Sequence, residues 1–290
     1  MLGDSLSRAL VDPSAQLLLR GIVEVSEFAS VALTLLSASD RGGGAAESVS
    51  TRFSHGLVDG VVVCNVDTSD SAVVALSDQG VAVVAIDSAP NSRISCVGID
   101  DRRAGAEQLA HLLKLGHTRI SVVTEPGTLD CNGVVPRELV ESSRRGTIRD
   151  RILGYYDALT SAGLEPDSLI VHVAEGIDQG SGRRAAQAIF DWTDATAIAA
   201  TSDVHATGIM SEASRRGIGV PDSLSVIGFD DAPFAAAIGL TTVRQPLVEK
   251  GRRAAMALLG MIEGRGVSTV VLPTEVVVRT STGPPVRKHF

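Results

Sequence analysis

The sequence predicts an α/β fold made of two doubly wound units with parallel sheets. Apolar runs such as residues 60–64 and 81–86 are hydrophobic throughout rather than alternating, which is typical of strands buried on both faces. Stretches of helical length separate most of these runs, as in sheets whose strands are joined by crossover helices. The 290 residues, of which 44% are hydrophobic, suit about two domains with sizeable cores.

The elements follow from the same patterns, taken in chain order. Asp12 and Pro13 mark the start of a first helix that continues to Val25, because Asp caps helices and Pro fits their first turn. The predicted strands are 31–36, 60–64, 81–86, 96–99, 120–124, 169–173, 197–200, 225–228, 269–272 and 275–279. The further predicted helices are 46–57, 70–80, 102–115, 149–162, 182–192, 204–216 and 247–263. Residues 125–147 are expected to form an irregular loop.

Composition and motifs exclude several classes of function. The chain has 26 basic and 34 acidic residues, a net charge of −8, and no basic stripe, so these residues are not expected to bind specific DNA by themselves. Its three cysteines, Cys64, Cys96 and Cys131, form no CxxC pair, which argues against a disulfide framework or a zinc site. The sequence contains no GxSxG, Walker, GxGxxG or HExxH pattern, so we expect neither an enzyme nor a cofactor.

Polar residues stand where predicted strands end or helices begin. They are Asn65, Asp87, Arg151, Ser202, Asp203 and Asp230. Carboxylates accept hydrogen bonds from neighbouring hydroxyls, arginine adds a planar donor fork, and an excess of carboxylates disfavours a polyanion. This pattern favours a neutral sugar or nucleoside.

Each of these residues also has a plainer structural interpretation. Ser202 or Asp203 could simply cap the following helix without contacting a ligand, and Asp100 and Asp101 are expected to cap the helix that follows them. Asp87 and Asp230 could be turn residues, Arg151 could lie on a helix surface, and Asn65 fits a turn and a ligand contact equally well.

Several strings together resemble one protein family. VPDSLSVIGFDD at 220–231 and LTTVRQP at 240–246 carry most of the resemblance, supported by LGHTRI at 115–120, RILGY at 151–155 and the segment 272–279. These segments are similar to the effector-binding core of the lactose-repressor/galactose-repressor (LacI/GalR) family, and the likeness extends over essentially the whole chain.

The resemblance implies a periplasmic-binding-protein-like fold of type I with two lobes and a ligand cleft between them. It implies an N-terminal lobe of 1–98 plus 247–272 and a C-terminal lobe of 99–246 plus 273–290. At effector-contacting positions of the family the chain has Asp87, Arg151, Ser202 and Asp230, with Asp230 preferred over Asp231; many members have Asn in place of Ser202. Asn65, Asp203 and Gln245 complete the set of candidate ligand-binding residues.

The expected function is that of a cytoplasmic, homodimeric transcriptional regulator that senses a small hydroxylated effector. The apolar stretch 233–240 is the expected dimer contact, with a core-facing loop as the alternative. Only two residues precede Gly3, so we expect the natural protein to begin upstream with a helix-turn-helix headpiece that contacts operator DNA. The alternative function is an extracytoplasmic sugar-binding protein of a transport system, although no signal peptide or membrane span is evident.

Overall fold

The computed structural model describes residues 11–25, 31–35, 58–64, 66, 68–88, 92–125, 131–143 and 146–286. The chain divides into two compact units. The first unit comprises Met1–Ile99 and Pro246–Pro273, and the second comprises Asp100–Gln245 and Thr274–Phe290. No helix in the described ranges is long and apolar enough to cross a membrane.

Within the described residues, the first unit is built on a four-stranded sheet whose strands are all parallel. In sheet order the strands are β1 (Gly60–Cys64), β2 (Ala82–Ile86), β3 (Ser95–Ile99) and β10 (Thr269–Leu272). The helices are α1 (Pro13–Val23), α2 (Ser71–Asp78) and α8 (Leu247–Ile262). Asp12 caps α1 as predicted, since its carboxylate accepts a hydrogen bond from the Ser14 backbone N–H at 3.0 Å.

Strand β2 shows why an uninterrupted apolar run forms a central strand. Val83 and Ala85 belong to the core beneath α2, on one face of the sheet. Val84 and Ile86 belong to the core beneath α8, on the other face. Both faces are therefore covered by helices, and a polar side chain at any of these positions would lose its water.

The second unit is built on a seven-stranded sheet in the order β11–β9–β8–β7–β4–β6–β5. Its strands are β4 (Ile120–Thr124), β5 (Gly133–Val135), β6 (Ile170–Val173), β7 (Ala197–Ala200), β8 (Ser225–Asp230), β9 (Thr241–Arg244) and β11 (Glu275–Val277). Its α-helices are α3 (Asp101–Lys114), α4 (Arg137–Glu141), α5 (Gly146–Ser161), α6 (Gln179–Trp192) and α7 (Asp203–Arg215). The five inner strands are parallel, and the edge strands β5 and β11 are antiparallel to their neighbours.

Helices cover both faces of this sheet as well. Val122 lies in a core with Leu109 of α3 and Ile152 of α5. Its neighbour Val123 points to the opposite face, into a core that includes Ile209 of α7. The successive residues of β4 thus join two separate cores, which fixes the register of the strand.

Helices α3 and α5 approach each other so closely that two glycines are required at their crossing. A Cβ atom on Gly105 would lie 2.1 Å from the carbonyl oxygen of Arg151, and one on Gly154 would lie 1.9 Å from that of Arg102. The helices therefore touch through their backbones. This contact places Arg151 of α5 beside the N-terminal turn of α3.

The predicted fold class, α/β with doubly wound parallel sheets, is confirmed, but some elements differ from prediction. Residues 31–35 form neither helix nor strand, so the strand expected there is wrong over that range. The loop expected at 125–147 contains β5 and α4, and the sequence did not predict β9. The helix expected at 46–57 lies outside the described residues.

Candidate ligand-binding site

Most of the predicted ligand-binding residues come together where strands β7 and β8 of the second unit end. These strands are parallel, and Ala199 pairs with Ile227, so their carboxyl ends reach the same edge of the sheet. We call the following five residues the polar edge: Arg151, Ser202, Asp203, Asp230 and Gln245.

The chain leaves β8 through a turn of unusual backbone conformation. The φ angle is 113° at Asp230 and 57° at Asp231, both in the region that L-residues other than glycine rarely adopt. Within the described residues, Asp87 is the only other non-glycine residue with a positive φ. Such a conformation costs on the order of 1–3 kcal/mol per residue and persists only where surrounding contacts fix it.

The side chain of Asp231 is engaged by two arginines. Arg244 donates to one carboxylate oxygen and Arg279 to the other, each at 2.6 Å. Because both of its oxygens are engaged by arginines, the Asp231 carboxylate is less suited than that of Asp230 to accept a hydrogen bond from a ligand.

Arg151 is buried rather than exposed on a helix surface. Its guanidinium donates to Asp101 at 2.6 and 3.3 Å and to the carbonyl oxygen of Thr201 at 2.9 Å. Its central carbon lies 3.4 Å from the centroid of the Phe229 ring, a cation–π contact. Burial acts to lower the pKa of Arg151, but the nearby charges of Asp101 and Asp230 outweigh it and raise that pKa. Arg151 thus links α5, α3, β7 and β8.

Asp203 is completely buried at the start of α7. One of its carboxylate oxygens accepts the Ala232 backbone N–H at 2.7 Å, and the other lies 2.6 Å from the Thr242 hydroxyl. Burial, together with the negative charge of Asp230, raises the pKa of Asp203 to about 8. The protonated form of Asp203 is therefore favoured at neutral pH.

This raised pKa predicts how stability depends on pH. A carboxyl whose pKa is higher in the folded than in the unfolded state binds its proton more tightly when folded. Its contribution to stability is present in full below pH about 4 and is lost as the pH rises through about 8. We expect Asp203→Asn to remove this part of the pH dependence of the free energy of unfolding, as measured by urea denaturation from pH 4 to 9. Equal pH profiles for the variant and the parent would contradict this assignment.

The two remaining members of the polar edge contact neighbouring groups of the same unit. The Ser202 hydroxyl accepts the His205 backbone N–H at 3.3 Å, so Ser202 caps α7, and the residue is 3% exposed. The side-chain amide of Gln245 donates to the Asp230 carboxylate. Gln245 therefore orients Asp230 from the end of β9.

Asp87 lies in the first unit, directly after β2. Its carboxylate accepts a hydrogen bond from the Lys250 ammonium of α8 at 2.7 Å, and the Lys250 side chain is completely buried. Burial raises the pKa of the nearby Cys64 to about 11, so this thiol stays protonated at neutral pH. Asn65 lies outside the described residues.

The described residues contain no group of three or more His, Cys, Asp or Glu side chains arranged to hold a metal ion. The polar edge accordingly offers hydrogen-bond donors and acceptors.

Comparison with known proteins places this geometry in a family. The family model of the periplasmic binding protein-like domain matches residues 109–282. An HTH-type transcriptional regulator of Mycobacterium tuberculosis is 33% identical over 291 residues, which span 98% of this chain and 80% of the relative. The crystal structure of a LacI-family transcriptional regulator from Corynebacterium glutamicum is similar with a TM-score of 0.85 and 26% identity, covering 97% of this chain and 84% of that one. The chain belongs to the LacI/GalR family.

The LacI/GalR regulators that resemble this chain include one with a sugar in its crystal structure. A LacI-family regulator from Enterococcus faecium, solved with bound ribose, has a TM-score of 0.80 at 24% identity, covering 98% of this chain and 97% of that one. The present chain is thus a LacI/GalR-family transcriptional regulator with a ligand-binding, periplasmic-binding-protein-like domain.

Sequence reasoning missed three residues that shape the sites of this LacI/GalR regulator. Asp101 was interpreted as a cap but pairs with Arg151, whereas Asp100 does cap α3 by accepting the Arg103 backbone N–H. The sequence around Thr242 and Lys250 does not indicate a role in a site, because only the folded chain brings Thr242 to Asp203 and Lys250 to Asp87. A buried lysine inside the apolar pattern of α8 was the one available hint.

Proposed function

We propose that this regulator senses a small, neutral, hydroxylated molecule, a sugar or a nucleoside, which binds at the polar edge. The supporting observation is that Asp230 lies in a strained turn at the carboxyl end of β8, and that Arg151 of α5 donates to Thr201 at the carboxyl end of the neighbouring parallel strand β7. A ligand that binds one conformation of the regulator more tightly shifts the population toward that conformation, and DNA contact by an N-terminal headpiece changes with it.

The charges of the polar edge favour a neutral polyol. Arg151 is already paired with Asp101, and Asp203 and Asp230 place two further carboxyl groups beside it. This excess of carboxyl groups disfavours a polyanion such as a sugar phosphate. Arg151 uses three N–H groups within the protein, and the remaining two have no partner among the described residues, so they suit hydroxyl oxygens. The ribose found in the similar Enterococcus faecium structure belongs to the same chemical class.

A thermal-shift screen over sugars, polyols and nucleosides tests the proposal, because a compound that binds only the folded protein raises its melting temperature. We expect Asp230→Asn to weaken the binding of the best compound by about 1.5–3 kcal/mol, since a charged hydrogen-bond acceptor is lost. This corresponds to a Kd roughly ten- to a hundredfold higher by calorimetry. The matched control is Asp222→Asn, an exposed aspartate of the same unit that lies before β8. Equal affinities of Asp230→Asn and Asp222→Asn for that compound would argue against the proposal.

We further propose that the regulator is a homodimer with two-fold symmetry that uses the segment 233–240. Ala235 and Leu240 of this segment are buried in the core of the second unit, which suits the loop alternative for those two positions. Ile238 is 38% exposed, and Pro233, Ala236 and Ala237 are exposed beside it, which leaves an apolar patch for a second copy.

Sedimentation velocity tests the dimer at tens of micromolar protein. We expect the parent to sediment as a dimer and Ile238→Asp as a monomer, because a charge at this exposed position would be desolvated in the interface. A parent protein that is monomeric at that concentration would contradict the proposal.

A further inference from the structure

Two consecutive residues of β8 and its turn, Asp230 and Asp231, need an external restraint to keep their conformation. Their positive φ angles are unfavourable for residues with a Cβ atom. The side-chain contacts of Asp231 with Arg244 and Arg279 restrain one of the two residues from the outer side. A second restraint comes from the protein interior and acts on the backbone N–H groups of Asp231 and Ala232.

Asp203 restrains the backbone N–H groups of Ala232 and Asp231. It binds the first directly and the second through a hydroxyl group. The Ala232 N–H donates to Asp203 at 2.7 Å. The Asp231 N–H donates to the Thr242 hydroxyl at 3.4 Å, and that hydroxyl lies 2.6 Å from the other oxygen of Asp203. A single buried carboxyl group thus organises the whole turn after Asp230.

The Asp203 carboxyl group lies within the protein rather than at its surface. A Cβ atom on Gly228 would be 2.1 Å from one of its oxygens, so the group rests directly on the backbone of β8. Asp203 has no measurable exposure, and both of its oxygens already have protein partners. A ligand hydroxyl would have to displace those partners in order to reach it.

We propose that Asp203 is a positioning residue: it holds the turn that aims the Asp230 carboxylate at the ligand, and it does not touch the ligand itself. The inference rests on the proposed function only for the part played by Asp230 in binding. It assigns to Asp203 a role different from that of a direct contact, the role that the sequence pattern had suggested.

Asparagine at position 203 is the conservative variant that tests the proposal. Its carboxamide has the shape of the carboxyl group and keeps one accepting oxygen, with an NH2 group in place of the other oxygen. Asparagine can therefore still accept the Ala232 N–H, and its NH2 group can donate to the Thr242 hydroxyl, which in the parent donates to Asp203 at 2.6 Å. Alanine can do neither. We expect Asp203→Asn to keep the turn and Asp203→Ala to release it.

Amide hydrogen exchange measures this release without any ligand. In Asp203→Ala at pH 7 we expect the Ala232 amide to exchange about tenfold faster or more, because its acceptor is gone, while Ile198 in β7 retains its protection. Asp203→Asn should keep the protection of Ala232 within about threefold of the parent. Unchanged exchange of Ala232 in a folded Asp203→Ala variant, or equal loss in both variants, would overturn the proposal.

Thr242 supplies a second test in case Asp203→Ala does not fold. Thr242→Val removes the hydroxyl that accepts the Asp231 N–H, and Thr242→Ser retains it. We expect faster exchange of the Asp231 amide in the valine variant and exchange like the parent's in the serine variant. Identical exchange of that amide in both variants would overturn the role assigned to the Asp203–Thr242 pair.

A double-mutant cycle by calorimetry decides whether Asp203 acts through Asp230. The probe is D-ribose, with cellobiose and adenosine as further arms. For whichever of these compounds binds the parent, Asp203→Ala should raise the Kd about tenfold. In an Asp230→Asn background the same change should cause no further loss of affinity. Fully additive losses would overturn the proposal. If the parent binds none of the three compounds, the proposed ligand class loses support, while hydrogen exchange still decides the positioning role.

Discussion

Replacing Arg151 by alanine is expected to lower the free energy of unfolding of the second unit by about 3–5 kcal/mol, because the change breaks a buried ion pair by removing the guanidinium that faces the Asp101 carboxylate. The substitution also removes the hydrogen bond to the Thr201 carbonyl and the contact with the Phe229 ring. Urea denaturation followed by circular dichroism measures the loss.

The matched control for Arg151 is Arg102→Ala. Arg102 also joins α3 to α5, through Asp157, but both side chains are about half exposed, so the loss should stay below about 1 kcal/mol. Equal losses for the two variants would contradict the assignment of Arg151 as a buried structural link. Because Arg151→Ala is expected to destabilise the protein, Asp230→Asn is the cleaner test of a ligand contact.

The second large effect is expected at the crossing of α3 and α5. A Cβ atom in Gly154→Ala would lie 1.9 Å from the Arg102 carbonyl oxygen and 2.8 Å from the Ala106 nitrogen, both backbone atoms. The helices must separate to admit it, and we expect a loss of about 3 kcal/mol in the free energy of unfolding.

Gly146→Ala is the control for Gly154→Ala within the same helix. A Cβ atom on Gly146 meets nothing within 4 Å, so alanine should leave stability unchanged within about 0.5 kcal/mol. Thermal denaturation of both variants measures the difference, and a stable Gly154→Ala protein would show that the two helices can move apart at little cost.

Most of the sheet could be predicted because its strands are buried on both faces. β2 and β8 read as continuous apolar runs, and this pattern follows directly from their burial. β9 was not predicted because Thr241–Arg244 is a polar sequence whose strand conformation depends on pairing with β8 and β11. β5 is three residues long within a polar segment, too short to give a pattern.

The candidate site, like the sheet, could be predicted only where the signal is local in the sequence. Aspartates at strand ends can be found from sequence, because a polar residue directly after an apolar run marks the edge of the sheet. Their partners cannot be found in this way. Asp101 and Arg151 are 50 residues apart, and Asp87 and Lys250 are 163 apart, so only the folded chain brings each pair together.

A crystal structure of the protein with the best compound of the thermal-shift screen tests the central claim most directly. The account predicts a hydroxyl of the compound about 2.5–3.0 Å from the Asp230 carboxylate, a second polar atom of the compound at a similar distance from the Arg151 guanidinium, and Asp203 retaining its bonds to Ala232 and Thr242. A compound bound with full occupancy elsewhere, with Asp230 facing only water, would contradict it.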